Sequence, residues 1–188
     1  MITTRRYEAE ISVNKYLNKY VDIEGFKEKC KACPTYNKTW ACPEFDFDVK
    51  EYWEKYNDLF LLAMRIKPDP KYRGKKFEGE ELDAVLKETM NKGKELLAGE
   101  LAVWEKKMPG SVALSAGSCI LCDGKCAKED GEPCRHPEEM RYSLEALGAN
   151  VGKTISELMG LELLWVEDGV IPEYFVLVSG LLYNPKED

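Results

Sequence analysis

The spacing of apolar positions changes along the chain, and it divides the chain into elements. Residues 51–66 begin as a short amphipathic segment and pass into Leu59–Ile66, an apolar run of strand length that Pro68 and Pro70 stop. From Glu80 to Lys106 the period lengthens. Leu82, Val85, Leu86, Met90, Leu97, Leu101 and Trp104 recur at three- and four-residue steps, which predicts a helix with one apolar face. Gly93 and Gly99 weaken its interior by about 1 kcal/mol each relative to alanine, and Pro109-Gly110 ends it. Met90 and Trp104 read as core residues. Ser111–Ala116 then reads as a strand. Pro137–Leu147 predicts a short helix with Met140, Leu144 and Leu147 inward and Gly148 as its stop.

Asn150 is an N-cap for a further helix that buries Val151, Ile155 and Leu158 and closes at Gly160. Tyr174–Tyr183 is the strongest strand in the sequence and is expected at the centre of a sheet. The first 24 residues are weakly patterned, with Ile11, Val13, Tyr16 and Leu17 suggesting a strand that runs into a turn or short helix. The fold class is therefore α/β (α+β), a single domain over residues 1–188. The expected architecture is a small mixed sheet with helices packed on it, a right-handed βαβ unit, and cysteine-rich loops beyond a strand's carboxyl end.

Composition narrows the function. At 188 residues the chain is long enough for a real core, and 44% hydrophobic with 32% charged residues is ordinary for a globular protein. A net charge of −7 argues against nucleic acid as a partner. No apolar run approaches bilayer length, and the N-terminus lacks the apolar core of a signal peptide, so the expectation is a cytoplasmic protein with no membrane partner. In that reducing compartment seven cysteines, an odd number, favour metal or redox chemistry over disulfides.

Four of the seven fall at Cys119, Cys122, Cys126 and Cys134, spaced CxxCxxxCxxxxxxxC, with Gly117, Gly124, Gly131 and Pro133 around them. Thiolates so close repel one another unless a cation neutralises them. Structural zinc usually takes cysteine pairs separated by a longer finger, whereas iron–sulfur cages compress three ligands onto one tight loop with a fourth beyond. The loop reads as a [4Fe–4S] site, with zinc as the competitor and free thiols or disulfides as the bland reading.

The other three, Cys30, Cys33 and Cys42, form CxxCxxxxxxxxCP with Tyr36 and Trp40 between them, placed to shield a cluster or wall a substrate site. Three readings stay open. The set holds a second cluster with one iron unligated by cysteine, or it takes a fourth ligand such as His136 or a carboxylate, or it is three buried small hydrophobes.

Together the two sets resemble a family of small, uncharacterised metal-binding proteins found chiefly in anaerobic bacteria and archaea. The resemblance rests on Cys30, Cys33, Tyr36, Trp40, Cys42 and Pro43, then on Cys119, Cys122, Cys126, Pro133, Cys134, Arg135 and Pro137, and on Ser143–Gly148 as a third segment. It implies cluster binding. This chain departs from the family pattern by one extra residue before Cys126.

Two functional classes follow. One is a catalytic module: the four-cysteine cluster transfers electrons, and the open iron performs redox or sulfur-transfer chemistry on a small anionic or sulfur-containing substrate; Lys31, Lys38 and Arg135 read first as ordinary surface charge, with holding that substrate as their alternative. The other is a non-catalytic ferredoxin-like carrier for a redox partner protein. A zinc-stabilised interaction domain is a third reading. No dinucleotide fingerprint, P-loop or nucleophile elbow is present, and His136, two residues from Cys134, reads as a hydrogen-bond donor to the cluster's surroundings. Lys71–Lys76 reads as a solvated basic turn, with a docking patch as its alternative.

Overall fold

The computed structural model describes residues 1–122 and 124–185. The chain runs β1 (Thr3–Ser12), α1 (Val13–Tyr20), α2 (Ile23–Lys31), α3 (Val49–Glu54), β2 (Asp58–Lys67), α4 (Gly79–Lys107), β3 (Val112–Leu114), α5 (Val151–Met159) and β4 (Phe175–Tyr183), with a short 3₁₀ turn at Ala127–Asp130. The fold is α+β around one four-stranded sheet of order β1-β2-β4-β3.

Every pairing in that sheet is antiparallel, which corrects the expected mixed sheet. Strands β2 and β3 do run parallel, since each is antiparallel to β4, but β4 lies between them. The βαβ unit is thus split. The physical reason is that β4 is apolar at almost every position and buried at Phe175–Leu182, so both its edges and both its faces need cover.

Alternation on β2 and β4 supplies two cores. Leu59, Leu61, Ala63, Val176, Val178 and Leu182 face a layer containing α1, α3 and α5. Leu62, Met64, Ile66, Leu177 and Leu181 face α4 through Leu97 and Leu101. Trp53 of α3 is fully buried in the first layer, packs at a tilt against Tyr16, and donates its indole N–H to the Leu147 carbonyl at 3.0 Å. Strand β1 is one of the two edge strands, and its alternating Arg6, Glu8 and Glu10 explain the weak sequence pattern there. Ser12 caps α1 by accepting from the Lys15 N–H.

Three further local expectations change. Gly93 is no idle weak point: a Cβ there would lie 2.2 Å from Ile66 Cδ1, so glycine is what lets α4 approach the sheet. Trp104 is not in the core; it is partly exposed and stacks on Phe60 with ring centroids 5.1 Å apart. Residues 137–147 form turns, not a helix. Their backbone is diverted sideways: Ser143 bridges in parallel to Ser115, and Ser115 donates from its N–H to the Tyr142 carbonyl at 2.8 Å and from its hydroxyl to the Arg141 carbonyl at 3.0 Å. Leu144 and Leu147 are still buried. The α5 expectation holds, with Asn150 accepting from the Lys153 N–H and Gly160 closing the helix in the left-handed region. Among the described residues no helix is long and apolar enough to cross a membrane.

Candidate metal centre

Cys30 sits in the last turn of α2, a helix opened by Asp22, whose carboxylate accepts from the Gly25 N–H. The chain then leaves the helix in successive turns. Cys33 N–H donates to the Cys30 carbonyl at 2.9 Å, Tyr36 N–H to the Cys33 carbonyl at 3.0 Å, and Cys42 N–H to the Thr39 carbonyl at 3.1 Å. Asn37 N–H closes the loop on the Pro43 carbonyl at 2.8 Å, with Asn37 in the left-handed region. The Thr35 hydroxyl lies 3.2 Å from Cys33 Sγ and 3.9 Å from Cys42 Sγ, so it touches two of the three thiols.

The four-cysteine loop follows β3, turning at Gly117, and returns to the bridge at Ser143. Gly117, Gly124 and Gly131 all take positive φ, which lets the chain reverse direction within a few residues. Cys126 precedes the 3₁₀ turn, and the His136 N–H donates to Cys134 Sγ at 3.4 Å. It is the backbone of His136, not its ring, that reaches this cysteine; the imidazole faces Glu139 at 3.8 Å. Arg135 braces its own loop by donating to the Lys125 carbonyl at 3.0 Å, and Lys31 pairs with Glu28, so neither stands free to hold a substrate. Lys38 is exposed.

Tertiary structure brings the two loops together. Trp40 Nε1 donates to the Glu132 carbonyl at 3.0 Å. Lys128 reaches from the 3₁₀ turn to the Cys42 carbonyl at 3.5 Å, with its ammonium 5.3 Å from the Trp40 ring centroid. Two further residues were not singled out for chemistry in the sequence. Lys94 of α4 donates to the Ser118 carbonyl at 2.8 Å and hydroxyl at 3.2 Å, and Glu145 accepts from the Gly117 N–H at 3.4 Å. Both flank the start of the four-cysteine loop. The only sequence signal for Glu145 was its place inside the Ser143–Gly148 segment.

Electrostatics follows from this crowding. Burial pushes the Cys119 thiol up, partly opposed by the Leu121 N–H and reinforced by Cys122, Cys126 and Cys134. Burial, then Cys33, Cys42 and Glu145, push Cys30 up. Burial lowers Lys94, against the pull of Glu145, Cys119 and Cys42, and burial raises Glu145. Cys30 and Cys119 thus resist ionisation until a cation is supplied.

All seven cysteines are free thiols. Among the described residues no group of three or more His, Cys, Asp or Glu side chains is drawn close enough to hold a metal ion as the side chains stand. The donor set nonetheless fits a thiophilic metal: soft sulfur donors on two turn-rich loops, mutually coupled, and a Thr39 hydroxyl buried without a hydrogen-bond partner inside the three-cysteine loop.

Comparison with known proteins agrees at that level. Over residues 18–182 the chain matches the family described as "Predicted metal-binding protein (DUF2284)", and it belongs to that family. No curated protein and no solved structure matches it.

Proposed function

We propose that this metal-binding protein is an iron–sulfur protein with two sites. Cys119, Cys122, Cys126 and Cys134 hold a [4Fe–4S] cluster, and Cys30, Cys33 and Cys42 hold a second cluster with one iron free of cysteine. The observation that carries the reading is the contact between the two loops through Trp40, Glu132 and Lys128, because electron exchange requires neighbouring sites. Bound clusters would supply one-electron transfer, at potentials set by hydrogen bonds to sulfur and by exposure.

The chain's own residues would do the rest. Trp40 ties the three-cysteine loop to the four-cysteine loop through its N–H. The His136 and Leu121 N–H groups donate toward Cys134 and Cys119 and stabilise their thiolates. Thr35 and Thr39 provide hydroxyl donors in the three-cysteine loop. Lys128 brings positive charge toward the three-cysteine set, offsetting its thiolates. On this reading the four-cysteine site exchanges electrons with a redox partner protein. The three-cysteine site serves redox or sulfur-transfer chemistry on a small anionic or sulfur-containing substrate.

Anaerobic purification with iron and acid-labile sulfide counting, followed by EPR of the reduced protein with and without cyanide, tests this. About eight irons per chain and one signal altered by cyanide are expected. About four irons with no cyanide response would reduce the protein to a simple carrier. Zinc without sulfide would end the iron–sulfur reading altogether.

A further inference from the structure

Beside the four-cysteine loop lies a cavity of about 790 Å³, within the range of small-molecule sites. Its walls are one flank of α4, the strand β3 and the segment Ser118–Leu121. The α4 wall is built from Ala98, Gly99 and Ala102, and a Cβ at Gly99 would meet nothing within 4 Å. The facing wall is apolar too, with Ala113, Ile120 and Leu121. Small side chains on the helix keep the space open, where Gly93 one and a half turns earlier brings the same helix hard against the sheet.

The polar groups are unevenly distributed. Glu105 is neutralised by Arg141, whose Nε and Nη2 donate to its two carboxylate oxygens at 2.9 and 3.0 Å. Glu95, Glu138, Glu139 and Lys106 also line the cavity and are exposed to water, where their charges are screened. Lys94 differs. It is partly buried beside Cys119, and its ammonium donates only to the carbonyl and hydroxyl of Ser118. An ammonium has three N–H donors, so one has no protein acceptor among the described residues. Among the described residues no carboxylate lies within ion-pair distance of Lys94, although Glu145 and Cys119 act on it from further off; a partly desolvated cation so placed gains more from an anion than a solvated one does.

We infer that this cavity binds a small organic monoanion, a carboxylate or its sulfur analogue, with its anionic head on Lys94 and its apolar body between the alanines of α4 and Ile120 and Leu121. One partly buried ammonium matches one negative charge, which disfavours a multiply charged ligand such as a phosphate ester or a dicarboxylate. The inference names the ligand class for a site next to the four-cysteine loop. It rests on the wall chemistry and holds whichever metal the loop carries.

Isothermal titration of the full-length, metal-loaded protein with hexanoate and with its neutral isostere hexanamide tests it. Hexanoate should bind about tenfold more tightly or better, since a hydrogen bond to a charged group is being compared with one to a neutral group. Lys94→Met should abolish that preference. Ala102→Phe, at an exposed helical position where folding is not at risk, should weaken binding of both by taking the space the apolar body would occupy against α4. Equal affinity for the two probes, an unchanged preference in Lys94→Met, unaltered binding in Ala102→Phe, or no heat at millimolar hexanoate would each overturn the inference. Iron, zinc and sulfide are counted in the same samples. Failure of hexanoate to bind a fully iron-loaded protein therefore condemns this inference alone, and hexanoate binding to a zinc-loaded protein condemns only the iron–sulfur reading.

Discussion

The indole N–H of Trp40 donates to the backbone carbonyl of Glu132 at 3.0 Å, joining the three-cysteine loop to the four-cysteine loop. The same indole carries the Lys128 ammonium on its face, and Lys128 reaches on to the Cys42 carbonyl. One aromatic side chain thus organises the contact between two loops that are far apart in sequence.

Trp40→Phe keeps most of the apolar surface but removes the N–H. The expected loss is about 1 kcal/mol in urea unfolding, the net worth of one hydrogen bond. Trp40→Ala, which also removes the surface under Lys128, should cost more. Equal stability of the three proteins would show that the loop contact contributes nothing.

Two glycines of α4 should respond oppositely to alanine. Gly93→Ala places a methyl 2.2 Å from Ile66 Cδ1 and 2.9 Å from Leu177 Cδ1, so overpacking of about 1–3 kcal/mol outweighs the gain in helix propensity. Gly99→Ala meets no neighbour within 4 Å and should stabilise by roughly 0.5–1 kcal/mol. Thermal unfolding of the pair checks both signs.

Thr39→Val removes a buried hydroxyl that has no partner in the protein, so it should not destabilise the chain. If that hydroxyl donates to a bound cluster, its loss lowers the reduction potential of the three-cysteine site, because hydrogen bonds to sulfur favour the reduced, more negative form. Redox titration followed by EPR reads the shift. An unchanged potential would remove Thr39 from the site.

Glu145 gives a pH signature. Burial raises its pKa above the usual 4.5, so the folded state holds this proton more tightly than the unfolded state. The carboxyl therefore favours folding most at low pH. That contribution is lost as pH rises from the unfolded value through the raised folded one. Glu145→Gln keeps an acceptor for the Gly117 N–H and carries no charge. The stability of Glu145→Gln relative to the parent should therefore grow with pH across the acid range and level off above the folded pKa. A difference that does not change with pH would contradict it.

The sequence determined what is local. Helix α5 could be read from Asn150, Val151, Ile155 and Gly160 because capping and one apolar face are properties of a few adjacent residues. Strands β2 and β4 could be read as apolar runs because a strand buried on both faces needs no alternation. The cysteine spacings and their glycines were equally plain. The 137–147 segment has the apolar spacing of a helix, but its backbone is claimed by Ser115, just beyond β3. Helix α2 escaped notice because it is short and buries no residue fully. Only the tertiary structure decided that β4 inserts between β2 and β3, that the two cysteine loops meet at Trp40, and that Lys94 and Glu145 flank the start of the four-cysteine loop. Those juxtapositions depend on which surfaces bury one another, a free energy of the whole chain that no short window of residues encodes.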